Sequence, residues 1–557
     1  MSLYDKMSIG FGPGFGVGTS KLFNLKPTDG TGDLTVVRAD TDASELVTNG
    51  SFASDTAWTK GSGWTISGGL ATSTGAVGGI EQTLVITAGV EYYVEVTTSG
   101  GAYNYGGLKV RLGGDTNLAQ ITEDGTYTFK LTAEASTDFG FFVDVSNAFS
   151  GSIDDVSVKS AEFLYAATRI NAEGFIDGVR PNVPRSSFPL GGSNNGCPSL
   201  FTEPNRENKC LQSQTLDNVY WTASRLSVTA DQTTAPDGTT TGDQLTDTTD
   251  NATHRLYSGV ISKTIADEVF CVSVFFKKGN SSDISGLIKF ANGNESDATY
   301  LSINLDTGAV MNATDGTNYT ILDSGTDDYG DGWFRLYAFV QSPTSTSSPD
   351  NSTRLHVSIG GPTGSLIFAG TGTDYLYAWG AQVEKNVAYT TSYIPTTSAA
   401  KTREADEVNN AGDSDDFNDD EGVLYANMAS INNDLTAKEI SVSDGTNDEV
   451  VSIGYNTTTQ QLRAYVKTGG VLQCDFTETI ADITVLTKVA LKYKVNDFAL
   501  FINGIEVDTD TSGSIPSGLS ELNLDNGAGS NNFYGKCKEL VYFNEALTDT
   551  ELTELTS

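Results

Sequence analysis

The chain has 557 residues, 59 of them glycine, with 19% charged residues, a formal net charge of −38 and a sequence pI near 4.2. A chain of this length divides into several cores, because single cores stop growing near ~250–300 residues. So acidic a surface repels phosphate backbones and anionic membranes, which makes nucleic acid and lipid poor candidates as partners, and no run approaches the ~18 apolar residues of a spanning helix, so no membrane span is expected.

The composition is rich in Gly, Thr, Ser, Asn and Asp, which suits many short strands joined by polar turns, and an all-β fold is expected. Five cysteines, at positions 197, 210, 271, 474 and 537, are too sparse for a disulfide framework. Free thiols are expected, with a Cys197–Cys210 bridge as the alternative. His254 and His356 are the only histidines, which leaves no zinc cluster or histidine-based triad. No phosphate loop or nucleophile elbow occurs either, and the chain is read as non-enzymatic. The acid excess has two readings: solubility, or calcium held by clustered oxygens.

In chain order, residues 1–43 form a Gly-rich arm in which Phe11, Phe15 and Phe23 alternate with glycines. Exposed phenylalanines are costly, so this arm is expected to dock on a partner or on later modules. Its opening shows no apolar h-region and reads as lacking a signal peptide. Residues 44–161 carry alternating runs such as EYYVEVT (91–97) and TYTFKL (126–131) between Gly, Asn and Asp turns, which predicts an antiparallel sandwich. The opening LVTNGSFASDTAW and the closing IDDVSV resemble carbohydrate-binding module families 4, 9 and 22, which are jelly rolls. That resemblance implies a structural calcium pinning first strand to last, with Asp155 as the matching ligand and Asn49 and Glu45 beside it. Ala53 stands where the family often has Glu. Sugar binding would use aromatic faces, because pyranose C–H patches stack on them. The candidates are Trp58, Trp64, Tyr103 and Tyr105, with a core role the competing reading for Trp58.

Residues 162–210 hold prolines 181, 184, 189, 198 and 204, which argue against regular elements, and read as an ordered connector. Residues 211–395 repeat the earlier plan: LQSQTLDNVYWTASRLSVTAD parallels LVTNGSFASDTAWTKGSGWTISG, and a second jelly roll is expected. Trp221, Trp333 and Trp379 sit in strand patterns and read as core. Asp306–Gly308 marks a hairpin. Residues 396–421 read as an acidic linker. Asp413 and Asp415 have calcium-loop spacing, but Phe417 occupies the next ligand position and rejects it. In 422–557, Asn503-Gly504 signals a type I′ hairpin, and LTDTELTELTS a short helix capped by Thr548 or Asp549. DFALFINGIEV followed by YGKCKELVYFNEALTD resembles concanavalin A-like and laminin-G-like sandwiches.

Three phrases carry a further resemblance. GDLTVVRAD (32–40), completed by ATRINAEGFIDGV (167–179), together with GCPSLFTEPNRENKC (196–210) and TTSYIPTTSAAKTREAD (390–406), resembles bacteriophage virion appendage proteins of the tail-fibre and head-fibre kind. In that family the first phrase is uninterrupted, which implies that 44–161 is an inserted module. The resemblance further implies a homotrimer on the virion exterior, assembled in a bacterial cytoplasm. The arm would contact other virion proteins, and host surface polysaccharide would be the ligand. The alternatives are a secreted bacterial carbohydrate-binding or adhesin protein, and a purely structural decoration without ligand.

Overall fold

The computed structural model describes residues 7–11, 35–37, 45–76, 78–88, 91–103, 108–114, 118–134, 137–142, 149–160, 167–179, 183–190, 198–387 and 389–557. Among them the fold is strands in antiparallel sheets, with one short helix. The chain divides into two compact units, Asp40–Ala166 and, as the other, Met1–Ala39 with Ala167–Ser557.

The Asp40–Ala166 unit is a sandwich of two five-stranded sheets. One runs Gly125–Thr132, Glu91–Tyr103, Phe149–Ser160, Leu70–Ala76, Trp64–Ser67; the other runs Thr59–Lys60, Ile80–Thr83, Asp138–Phe142, Leu108–Leu112, Leu118–Ile121. Alternation decides the faces: Tyr92, Val94 and Val96 of one strand and Leu108, Val110 and Leu112 of another are buried in a common core with Phe139, Phe141 and Ile153. The opening segment seats against the closing strand, with Leu46 N donating to Val158 O and Val156 N to Gly50 O, both at 3.0 Å. Gly50 is required there, because any Cβ would overlap the Val156 carbonyl.

The other unit holds two sandwiches. The first pairs a sheet built on Ser285–Asn292 and Ser352–Gly360 with a sheet built on Val269–Lys278, Tyr375–Lys385 and Trp333–Gln341. Phe270, Val272, Val274 and Phe276 face Ile288, Phe290, Leu355 and Val357. The run FCVSVFF does not alternate with polar residues because both its faces are covered. On the far face Phe275 packs with Trp333, Trp379 and Tyr393 under Ile170 and Ile176 of the connector. Trp221, Trp333 and Trp379 are all core residues, and the expected hairpin joins Ala298–Ile303 to Val310–Thr314 with Gly308 at φ 73°.

The last sandwich pairs a sheet running Gly535–Phe543, Glu421–Ser430, Thr487–Lys494, Phe498–Ile502, Ile505–Asp510 with one running Val471–Thr479, Gln461–Thr468, Val450–Tyr455, Lys438–Ser443, Glu521–Asn523. Asn503 (φ 47°) and Gly504 (φ 82°) make the predicted tight hairpin. Helix Asp549–Thr556 starts in a capping box between Thr548 and Glu551 and lays Leu552 on Tyr425, Ala499 and Phe501.

Two segments differ from expectation. The connector is not irregular: Ala167–Ile170 and Ile176–Val179 form a hairpin, and Ser199–Thr202 adds to Gly535–Phe543. Its described prolines, 184, 189, 198 and 204, fall between these short strands, where no ladder bond is lost. Residues 396–421 are no free linker, since Lys401–Arg403 pairs with Arg206–Asn208 and Phe417 is buried. From the arm, Met7–Phe11 pairs with Gly535–Phe543 and Thr35–Val37 with Glu407–Asn409. The edge of Gly535–Phe543 is thus covered twice from within the chain, at 535–537 by the connector and at 540–543 by the arm. Phe15 and Phe23 lie outside the described residues, as does Cys197. Cys210, Cys271, Cys474 and Cys537 are free and buried, and burial pushes each thiol up.

Candidate functional site

Of the aromatic residues expected to bind sugar in the Asp40–Ala166 unit, both tryptophans point into the core. Trp58 is enclosed between Phe52 and Phe139, and its Nε1 donates to Asn49 O at 3.0 Å. Trp64 stacks on Phe149, and its Nε1 donates to Gly78 O at 2.9 Å. With 7% and 4% of their surfaces exposed, neither tryptophan offers a face to a sugar, and both are core residues. Tyr103 is half-buried rather than projecting. Its ring lies over Gly101 and against Phe149, and its hydroxyl donates to Asp124 Oδ1 at 2.9 Å. Burial first, then the Asp124 carboxylate, pushes that phenol up to about 12 although the Thr98 hydroxyl pulls the other way. Tyr105 lies outside the described residues.

Two of the three residues expected around calcium, Glu45 and Asn49, have side-chain hydrogen-bond partners. Glu45 Oε1 accepts from the backbone of Val47 (2.8 Å) and Val158 (2.9 Å), and Oε2 accepts from Ser157 Oγ at 2.6 Å. Asn49 Nδ2 donates to Ser54 O and Thr56 O. Asp155 is exposed at φ 49°, its amide donating to Asp154 Oδ1. The Glu45 oxygens are thus turned toward N–H and O–H donors, whereas the Asp155 carboxylate is exposed. Among the described residues no group of three or more His, Cys, Asp or Glu side chains is placed to hold a metal. The Glu45 carboxylate ties the opening segment to the closing strand through Ser157 and Val158.

The chemistry that sequence reading missed lies in the other unit, where the connector meets both sandwiches. Arg185 and Glu203 have no exposed surface, and Arg403 and Asp406 almost none. Arg185 Nη1 donates to Glu203 Oε2 at 2.5 Å and to Ser392 Oγ at 3.1 Å, and Nη2 pairs with Asp406. Arg403 Nη1 lies 3.1 Å from the same Glu203 oxygen, and Ser392 supplies both its N–H and its hydroxyl to Glu203. Burial alone would raise the Glu203 carboxyl, but Arg403 and Arg185 outweigh it and hold it at about 2. Two guanidiniums thus balance two carboxylates out of water. Such a group is costly to form and more costly to break.

Beside this network opens a cleft of about 570 Å³. The connector contributes Arg169, Phe188 and Phe201; the neighbouring sandwich contributes Asp327, Tyr329, Arg335 and Tyr389. The last sandwich adds Leu486, Lys536 and Lys538. Arg335 is fixed by donating to Ser273 Oγ and, at 2.6 Å, to Thr391 O. Burial raises the Asp327 carboxyl against the opposing pull of Arg335 and Lys536.

Neither a protein-family profile nor a curated protein matches the chain. Among solved structures it is similar to the CBM40 module of the Ruminococcus gnavus IT-sialidase, at 18% identity over 25% of this chain and 84% of that one, with a TM-score of 0.23. It is similar to the CBM22-1–CBM22-2 tandem of Paenibacillus barcinonensis Xyn10C at 12% identity over 62% and 99%, TM-score 0.21. A third is the LG4-5 pair of the mouse laminin α1 chain, at 12% identity over 54% and 89%, TM-score 0.19. These are distant likenesses of β-sandwich architecture, and no residue role is carried over from them.

Proposed function

We propose that this protein is a structural appendage subunit of a bacteriophage virion, a tail-fibre, head-fibre or decoration protein, whose β-sandwich modules bind host-surface glycans. It acts by binding, with no catalytic step. It assembles as a homotrimer in the bacterial cytoplasm and stands on the particle exterior, with its Gly-rich arm toward other virion proteins.

The observation that carries this reading is convergence at the buried ion network. Arg185 follows the ATRINAEGFIDGV phrase, Glu203 belongs to GCPSLFTEPNRENKC, and Ser392, Arg403 and Asp406 belong to TTSYIPTTSAAKTREAD. Thr35–Val37, from GDLTVVRAD, pairs directly after that last phrase. Segments that resemble virion appendages one by one therefore form a single interlocked joint, which supports reading them as one inherited architecture. The division of the chain at Ala39 and Ala167 falls where the first phrase is interrupted, which supports an inserted module.

The test is immunogold labelling of purified phage particles from cells carrying the gene, with antibody raised against the purified protein, beside a glycan array of the same protein. Label on the particle exterior and retention of glycan are expected. Particles free of label would overturn the virion assignment, and a blank array from folded protein would overturn glycan binding.

A further inference from the structure

We infer that the cleft beside the ion network is a binding site for a saccharide bearing carboxylate groups, such as a uronic or sialic acid. This deepens the glycan-binding reading and rests on it, and it moves the site away from the aromatic residues of the Asp40–Ala166 unit.

Charge is the first argument. The cleft lining holds four cations, Arg169, Arg335, Lys536 and Lys538, against the single carboxylate of Asp327, in a chain whose net charge is −38. A cationic pocket in so acidic a molecule concentrates field where an anion would enter. Two of these cations are already committed: Arg169 to Asp177 at 3.2 Å, and Arg335 to Ser273 and Thr391. The ammonium groups of Lys536 and Lys538 make no hydrogen bond or ion pair to a described residue, although Lys536 lies close enough to Asp327 to pull its carboxyl down. They sit two apart on the Gly535–Phe543 strand, at a point where its pairing with Glu421–Ser430 shifts register, and both line the cleft.

Shape and surface are the second argument. Phe201 lies directly across the ladder from Lys536, and both line the cleft together with Phe188 and Tyr389. Aromatic faces beside free ammonium groups suit a sugar ring whose C–H patch stacks while its carboxylate takes a charge-assisted bond. The volume, about 570 Å³, lies within the ~300–1,000 Å³ typical of small-ligand sites. Hydroxyls of Ser187 and Thr390 complete a lining able to exchange bonds with sugar hydroxyls.

The experiment is calorimetric titration of the full-length protein with short oligomers of galacturonate, mannuronate and guluronate and with sialyllactose, each beside its carboxyl-reduced counterpart. Wild type is compared with the Lys536→Gln/Lys538→Gln double variant and with Tyr103→Ala. An acidic oligomer is expected to bind more tightly than its neutral counterpart and to weaken as salt screens the lysines. Loss of both lysines should weaken it about tenfold or more, with Tyr103→Ala unchanged and the unfolding midpoint of the lysine variant preserved. Acidic-sugar binding that survives the lysine substitutions overturns this site while leaving the glycan-binding function standing. Binding of neutral sugars alone does the same. No binding of any saccharide by folded wild type overturns both.

Discussion

Replacing Glu203 by Gln keeps the shape of the side chain and removes the charge at the centre of the buried network. The wild-type carboxyl lies at about 2, against an ordinary 4.5. A carboxyl depressed on folding adds stability that is complete above its unfolded pKa and drains away as pH falls toward the folded one. That gap is worth about 3 kcal/mol at neutral pH. The variant also leaves Arg185 and Arg403 buried with only Asp406 opposite, and breaking a buried ion group costs ~3–5 kcal/mol. Urea unfolding followed by tryptophan emission suits the question, because Trp333 and Trp379 pack around Tyr393, next to Ser392. At pH 7 the variant should be less stable by ~3–5 kcal/mol. Between pH 7 and pH 3 its deficit should narrow by about 2 kcal/mol, because the wild type is then losing its carboxylate advantage. A deficit that stays constant over that range would refute the claim that ionised Glu203 holds the joint together.

Gly50→Ala should destabilise the Asp40–Ala166 unit by ~1–3 kcal/mol, since the new methyl must push the opening segment off the Val156 carbonyl; loss of amide-exchange protection at Leu46 and Val156 would report it, and unchanged protection would contradict the seating. Removing Asp40–Ala166 and joining Ala39 to Ala167 should leave a remainder that unfolds cooperatively with its β-sheet circular dichroism intact, whereas an aggregated or non-cooperative product would mean that the two units do not fold independently.

Much of the fold was legible because burial has a period. LKVRL alternates as it should, and Asn503-Gly504 turns where two positive φ values are needed. Legibility failed where a second layer covers a sheet. The strand Glu421–Ser430 is buried on both faces because the C-terminal helix lies on the outer one, and no local pattern announces a cover from more than a hundred residues away. The acidic stretch 396–421 misled for the opposite reason. Its exposed Asp413, Asp415 and Asp420 dominate the composition, while Arg403, Asp406 and Phe417 do the anchoring.

The site was less legible than the fold because its parts share no sequence neighbourhood. Positions 185, 203, 392, 403 and 406 form one network only after two sandwiches and a connector have closed on each other, so spacing rules built for helices and single strands cannot register it. Its segments meet only in the network, where Glu203 of GCPSLFTEPNRENKC is held by Arg403 and Ser392 of TTSYIPTTSAAKTREAD. A substitution in one strands a buried group in the next. Lys536 and Lys538 left only a faint trace, since lysines in KCKEL read as a solvated strand face. They become informative only through topology, which sets Phe201 across from Lys536 and brings both ammonium groups, neither of them hydrogen-bonded to a described residue, into the lining of one cleft.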